Sequence, residues 1–350
     1  MEIVFVPYAA RGHVAPMLAA ASALVTRGVR VRMVVPAPFA AHVRAAGAVP
    51  VVPDVVHDVR VPAGKGPGAV GERARLRRGR RALATATAET SRRLVAERRP
   101  SLVVIDPHTA WLRGLPLPGG TPAAWLWTTA GRTARGHLPV LVNGLPQLRA
   151  RRGRRDRRVR FVGPLVGAMT TPDPGLPWDR IRAGRVVVAS PGTVFTPGAA
   201  ELKRLIGAFA GTEWTLVLAT GRVPVADLGP LPGNVVAHPW IPQLEVLRHA
   251  EVLVTHGGMN SVLEAITCGV PMLVRPRIGE QRRTASRIVE LGVGRRLRRW
   301  TDLRATAERL ADEHTVRARL SGLRERARAV LAAGAAAEEL VRLAEANTKC

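Results

Sequence analysis

Short apolar runs rich in β-branched residues recur along this chain, and each leads into a stretch patterned for a helix. The run EIVFVP at 2–7 passes through a polar turn at Arg11, Gly12 and His13 into VAPMLAAASALVTR at 14–27. That second stretch has good helix formers, Pro16 in its first turn, and Gly28 where a left-handed C-terminal cap would sit. A valine-rich run at 29–35 follows at once. Two strands joined by a helix with such short connections must lie parallel, because the chain has to return before it can pair again.

The alternation continues to about Thr129, with Leu102–Ile105 as a further buried strand. Between 111 and 160 it degrades into Pro, Gly and Arg, which predicts a shortened, loop-rich edge. The segment 161–178, FVGPLVGAMTTPDPGLPW, has the composition of a linker. A second alternation starts near Arg185: strands at 186–190, 215–220, 234–238 and 251–256, a helix over Ala199–Phe209 and another near Gln243. An alanine- and arginine-rich helical region at 305–346 closes the chain. The expected fold is therefore α/β, with a first domain over 1–162, a linker over 163–182 and a second domain over 183–350.

Charge narrows the functional classes. The formal net charge is +27, which by itself points to nucleic acid or an anionic surface. Lysine occurs only at 65, 203 and 349, however, and the arginine excess runs through both halves, dense only from Arg149 to Arg160. That distribution reads as a solvated basic surface; no nucleic-acid motif accompanies it, so no specific nucleic-acid partner is expected. Cys268 and Cys350 are too few and too far apart for a disulfide framework or a zinc site, which fits a reducing compartment. The N-terminus has Glu2 and no basic region, no run approaches the roughly 20 apolar residues of a bilayer span, and a soluble, cytoplasmic protein is expected.

The stretch richest in chemistry is THGGMNSVLEAITCGVP at 255–271, directly after an apolar strand. Two glycines let the backbone turn sharply, and VLEAITC carries a helix that Gly269 ends and Pro271 forbids continuing. A strand, a glycine turn and a helix N-terminus gather amide hydrogens and the positive end of the helix dipole, the setting a phosphate needs. His256, Asn260, Ser261 and Glu264 around one turn favour a ligand site over a plain tight turn.

With Trp240 to Gln243 (WIPQ) before it and Glu280 and Gln281 after it, this stretch resembles the donor-binding signature of the UDP-glycosyltransferase family, bacterial natural-product branch. The GHV turn at 12–14, the FVGP segment at 161–164 and the SPGT turn at 190–193 extend the resemblance over nearly the whole chain. It implies a GT-B fold, two Rossmann-like domains with a cleft between their parallel sheets, and a reaction with no cofactor and no metal. It also implies roles. Trp240 would stack on a pyrimidine, Gln243 would reach the base edge or ribose, and Glu264 would accept from the ribose hydroxyls. His256, Gly258, Asn260 and Ser261 would hold the diphosphate, helped by Ser190 and Thr193, while Glu280 and Gln281 would bind sugar hydroxyls. In the first half, His13 is the candidate base and Asp106, ending the strand at 102–105, the carboxylate that orients it. His108 is a second imidazole beside it.

The implied reaction is inverting transfer of a hexose from a UDP- or dTDP-sugar to a hydroxyl of a small natural product. Three departures stand out: Pro191 replaces an aliphatic residue, Met259 stands where many relatives have Trp, and the stretch from Asp106 to Phe161 is about half the family's length. That short stretch and the Arg149 to Arg160 run leave open an acceptor that is lipid-linked or at an anionic membrane surface. A non-catalytic partner protein is the third reading.

Overall fold

In the computed structural model the described residues are 1–54, 68–109, 117, 120–129, 137–149, 156–169, 172–192 and 197–346. In chain order the first elements are β1 (Glu2–Val6), α1 (Arg11–Val25), β2 (Arg30–Val34), α2 (Ala37–Ala45), β3 (Val49–Val51), α3 (Gly68–Arg98), β4 (Leu102–Ile105), β5 (Ala123–Trp127), β6 (Val140–Val142) and β7 (Val159–Phe161). There follow α4 (Trp178–Ala183), β8 (Arg185–Ser190), α5 (Ala199–Phe209), β9 (Trp214–Ala219), β10 (Val235–His238), α6 (Gln243–Leu247), β11 (Val252–Thr255), α7 (Met259–Cys268) and β12 (Met272–Val274). The chain finishes with α8 (Gly279–Leu291), β13 (Gly294–Arg296), α9 (Leu303–Asp312), α10 (His314–Ala332) and α11 (Ala335–Ala346).

These form two compact units. The first comprises Met1–Gly144, Arg154–Met169 and Val330–Cys350, and its sheet runs β3-β2-β1-β4-β5-β6-β7 with every adjacent pair parallel. Strand alternation sends Ile3, Phe5, Leu102, Val104, Ala124 and Leu126 to one face and Val4, Val6, Val103, Ile105, Ala123 and Trp125 to the other. Both faces are covered, which is why the strands read as continuous apolar runs rather than as an alternating pattern. The second unit, Leu145–Gly153 with Thr170–Ala329, has the sheet order β10-β9-β8-β11-β12-β13, again wholly parallel. Its strand order turns at β8 and β11, as that of the first unit turns at β1 and β4. Such a reversal leaves a crevice at the carboxyl ends of the two central strands, because the connections leave in opposite directions.

Three sequence expectations need correction. The last helix does not join the 183–350 domain: Ala336, Ala337, Leu340, Leu343 and Ala344 of α11 are buried in the first unit's core, beside Met17, Leu18 and Ala21 of α1. Burial of a leucine there contributes about 1.5–3 kcal/mol, enough to fix where a terminal helix docks. The edge expected to be loops at 111–160 carries β5, β6 and β7, held in register by Trp125↔Val140 and Val140↔Val159. Strands of three to five residues set among Pro and Gly give too short a pattern to be seen in sequence. Finally, α1 takes in Arg11, Gly12 and His13, so His13 stands on the first helical turn and not in the turn before it.

No helix among the described residues is long and apolar enough to cross a membrane. The dense basic run around Arg149 to Arg160 lies partly outside them.

Candidate active site

In the first unit, the central strands β1 and β4 deliver His13 and Asp106 to the same crevice. The register Val6↔Ile105 sets their ends side by side, and the Asp106 amide donates to the Val6 carbonyl at 3.0 Å. Asp106 is fully buried, and both of its oxygens are engaged. Oδ2 lies 2.8 Å from His13 Nδ1 and accepts from the Thr128 hydroxyl at 3.0 Å. Oδ1 accepts from the His108 amide at 2.8 Å and lies 3.1 Å from His108 Nδ1. Burial acting alone would raise the carboxyl; hydrogen bonds from His108 and His13, together with the charge of His13, outweigh it and hold Asp106 well below the usual carboxylate range.

Ionisation of Asp106 settles the tautomers by elimination. A carboxylate only accepts, so the hydrogen between it and each imidazole belongs to the ring nitrogen. Thr128 spends its single hydrogen on Oδ2 and therefore accepts from His13 Nδ1, 2.8 Å away. His13 thus carries its proton on Nδ1 and its lone pair on Nε2, the form in which an imidazole takes a proton from a substrate. The Tyr8 ring stands edge-on at 5.1 Å from that of His13, and Trp127 abuts His108 at 5.9 Å, so flanking rings fix both imidazoles. His13, Asp106 and His108 also bring three potential metal-ligating atoms within 4.8 Å of one another. The N–H···O bonds just described account for that proximity.

In the second unit the switch-point strands β8 and β11 end at Ser190 and Thr255, paired in register, with His256 next. The His256 ring lies between two glycines: a Cβ at Gly192 would come within 3.1 Å of Nδ1, and one at Gly258 within 2.6 Å of Nε2. Only residues without a side chain admit the imidazole there. Burial depresses His256 to about 4, the nearby Ser190 backbone opposes the fall, and the charge of Arg277 adds to it. The ring is therefore neutral at pH 7, and its buried Nδ1 has no hydrogen-bond partner among the described residues. Gly258 is also the N-cap of α7, which has no side-chain cap. The first-turn amides of a helix lack intrahelical acceptors, so this end attracts an anion.

Gln243, opening α6, donates from Nε2 to Ser261 Oγ at 3.2 Å and to the Glu264 carboxylate, which gathers three of the expected donor-binding residues. Trp240, between β10 and α6, presents an indole that is 43% exposed. Asn260 stands in the first turn of α7 and Glu280 in that of α8. Gln281 turns inward: its Oε1 accepts from the Arg277 amide at 2.9 Å and the Ile278 amide at 3.3 Å, closing the loop before α8. Thr193 lies outside the described residues.

The sequence pattern of the UDP-glucoronosyl and UDP-glucosyl transferases matches residues 157–309. The oleandomycin glycosyltransferase of Streptomyces antibioticus is 32% identical over 367 aligned positions, covering 89% of this chain and 84% of that protein. The chain belongs to the UDP-glucoronosyl and UDP-glucosyl transferase family. An NDP-glycosyltransferase of Bacillus licheniformis is 36% identical over 143 residues; that match covers 41% of this chain and 36% of the relative, so it spans about a third of the relative's length. A solved structure, the glycotransferase of kitacinnamycin, has a TM-score of 0.77 at 28% identity and covers 98% of each chain. The GT-B architecture expected of this family is the one found, two α/β units with parallel sheets.

One residue of this candidate site, Thr128, carries no motif in the sequence. Thr128 completes the triangle with His13 and Asp106, a role that a lone threonine after a short apolar run does not signal. His108 was visible as an imidazole near Asp106, but only the fold shows that it holds the second oxygen.

Proposed function

We propose that this chain is an inverting, metal-independent transferase that moves a hexose from a UDP- or dTDP-sugar to a hydroxyl of a small natural product. The observation that carries the reading is the 2.8 Å contact of His13 Nδ1 with the fully buried carboxylate of Asp106, which leaves Nε2 as the free lone pair. An acceptor alcohol is a poor nucleophile until a base removes its proton, and His13 Nε2 is the lone pair available for that step. As the acceptor oxygen forms its bond to the anomeric carbon, the bond from that carbon to the diphosphate oxygen breaks on the opposite side. The electron pair leaves with the nucleoside diphosphate, configuration inverts, and the proton ends on His13, whose positive charge Asp106 stabilises.

The amide hydrogens at the start of α7 meet the charge developing on the leaving group. His256 fits the same task. A buried nitrogen without a partner costs about 1–3 kcal/mol, and a diphosphate brought against Nδ1 would relieve that cost by drawing a proton onto it. Glu264 suits the ribose hydroxyls and Trp240 the base. The matched relatives' names, which include a glycosyltransferase of oleandomycin, support a natural-product acceptor.

The test is a donor-by-acceptor matrix read by mass spectrometry, with calorimetric titration of UDP and dTDP. Binding of one nucleotide and a mass gain of one hexose on a hydroxylated acceptor, undiminished by a chelator, is the expected result. Indifference to both nucleotides would refute the donor assignment, and loss of turnover on chelation would refute metal independence.

A further inference from the structure

The carboxylate of Asp106 serves two imidazoles. His13 holds Oδ2 at 2.8 Å, while His108 holds Oδ1 through its backbone amide at 2.8 Å and its ring at 3.1 Å. The two rings meet edge to face with centroids 4.6 Å apart, and the His108 side chain is the more exposed, 38% against 12%. One negative charge therefore lies between two imidazoles, each able to take up a second proton and become a cation. Among the described residues, the rings facing His108 are those of Tyr8 ahead of α1, His13 on α1 and Trp127 from β5, and its own loop contributes Asp106. Of these only Asp106, His13 and Tyr8 are ionisable.

We propose that His108 is a positioning residue for proton transfer, competing with His13 for the charge of Asp106, so that protonated His108 suppresses turnover. The inference rests on His13 being the base. With His108 neutral, its N–H steadies the orientation of the carboxylate, and the whole negative charge remains to stabilise the imidazolium formed on His13. With His108 protonated, a second cation adjoins that imidazolium over one shared carboxylate, and like charges at this spacing oppose each other strongly. With rings 4.6 Å apart on one carboxylate, a proton gained by either imidazole disfavours a proton on the other. Turnover then requires both imidazoles to be unprotonated, and the acid side of the profile falls with two protons.

Two measurements test this. In log kcat against pH, the parent enzyme approaches a limiting slope of two on the acid side. His108→Gln keeps a neutral donor but cannot be charged, so it gives a slope of one and retains roughly tenfold more activity than the parent at the acid end. A parent slope of one, unchanged in the variant, overturns the proposal. So does loss of turnover in His108→Gln at every pH, which would make His108 the base. The second measurement needs no turnover: NMR titration of the ring protons. Removing either competitor, as His13→Gln or His108→Gln, moves the titration of the remaining imidazole to higher pH, and unmoved curves refute the competition. A parent enzyme silent with every donor and acceptor fails the base assignment, whereas turnover with unmoved titrations fails only the role of His108.

Discussion

At the residue scale, the arrangement depends on which nitrogen of His13 carries the proton. Asp106→Asn keeps the shape but introduces an amide that can donate to Nδ1, favouring the tautomer whose Nε2 is already protonated. We expect kcat to fall by roughly 10³- to 10⁴-fold with nucleotide affinity unchanged, measured by product formation and calorimetry. Thr128→Val removes only the hydroxyl that accepts from Nδ1 and donates to Oδ2. Its expected loss is smaller, about tenfold, because the Asp106 contact alone still selects the right tautomer. His13 and Asp106 were legible in sequence because each follows a clear apolar strand. Thr128 was not, since its strand passes through AAWLW in a stretch dominated by Pro, Gly and Arg.

At the element scale, the junction of β11 with α7 holds a neutral imidazole against the backbone. Its titration makes a stability prediction. Unfolded, the imidazole takes its proton near its ordinary value of 6.5; folded, it does so only near 4. Between those values the unfolded chain binds more protons, so stability is full above 6.5 and declines as pH falls toward 4, by on the order of 3 kcal/mol. The contribution of Asp106, whose carboxyl is depressed from an ordinary value of 3.8, is lost at lower pH still. Urea denaturation across pH 4–7 should show the first decline, and His256→Gln should flatten it. Gly258→Ala places a methyl 2.6 Å from His256 Nε2. The ring has to move, and affinity for the proposed nucleotide, UDP or dTDP, should drop at least tenfold by titration calorimetry. The glycine turn was conspicuous in sequence, whereas the clasp of Gly192 and Gly258 around one ring required two loops from different strands to be placed together.

At the scale of the whole molecule, α11 travels to the first unit and buries Leu340 completely in that unit's core. Leu340→Ala should cost about 2–5 kcal/mol there. Because the affected residues pack against α1, the loss should appear as a lower thermal midpoint for the first unit, while the affinity for the proposed nucleotide, UDP or dTDP, is kept. Differential scanning calorimetry with and without UDP separates the two transitions. The sequence assigned this helix to the wrong unit for a plain reason: an amphipathic pattern shows that a helix has an apolar face but not which core receives it.

Local chemistry written in short windows was set by the sequence alone. It included the strand and helix alternation, the glycine turn before α7, and the histidine and aspartate that follow buried strands. These depend on backbone preference and on side-chain periodicity, both of which act over a few residues. The tertiary structure decided what depends on distant segments meeting: the short edge strands, the docking of α11, the hydroxyl of Thr128, and the division of one carboxylate between His13 and His108. Pairing of that kind follows from sheet register and core packing, which involve residues on average far apart along the chain, so no single window of sequence contains them.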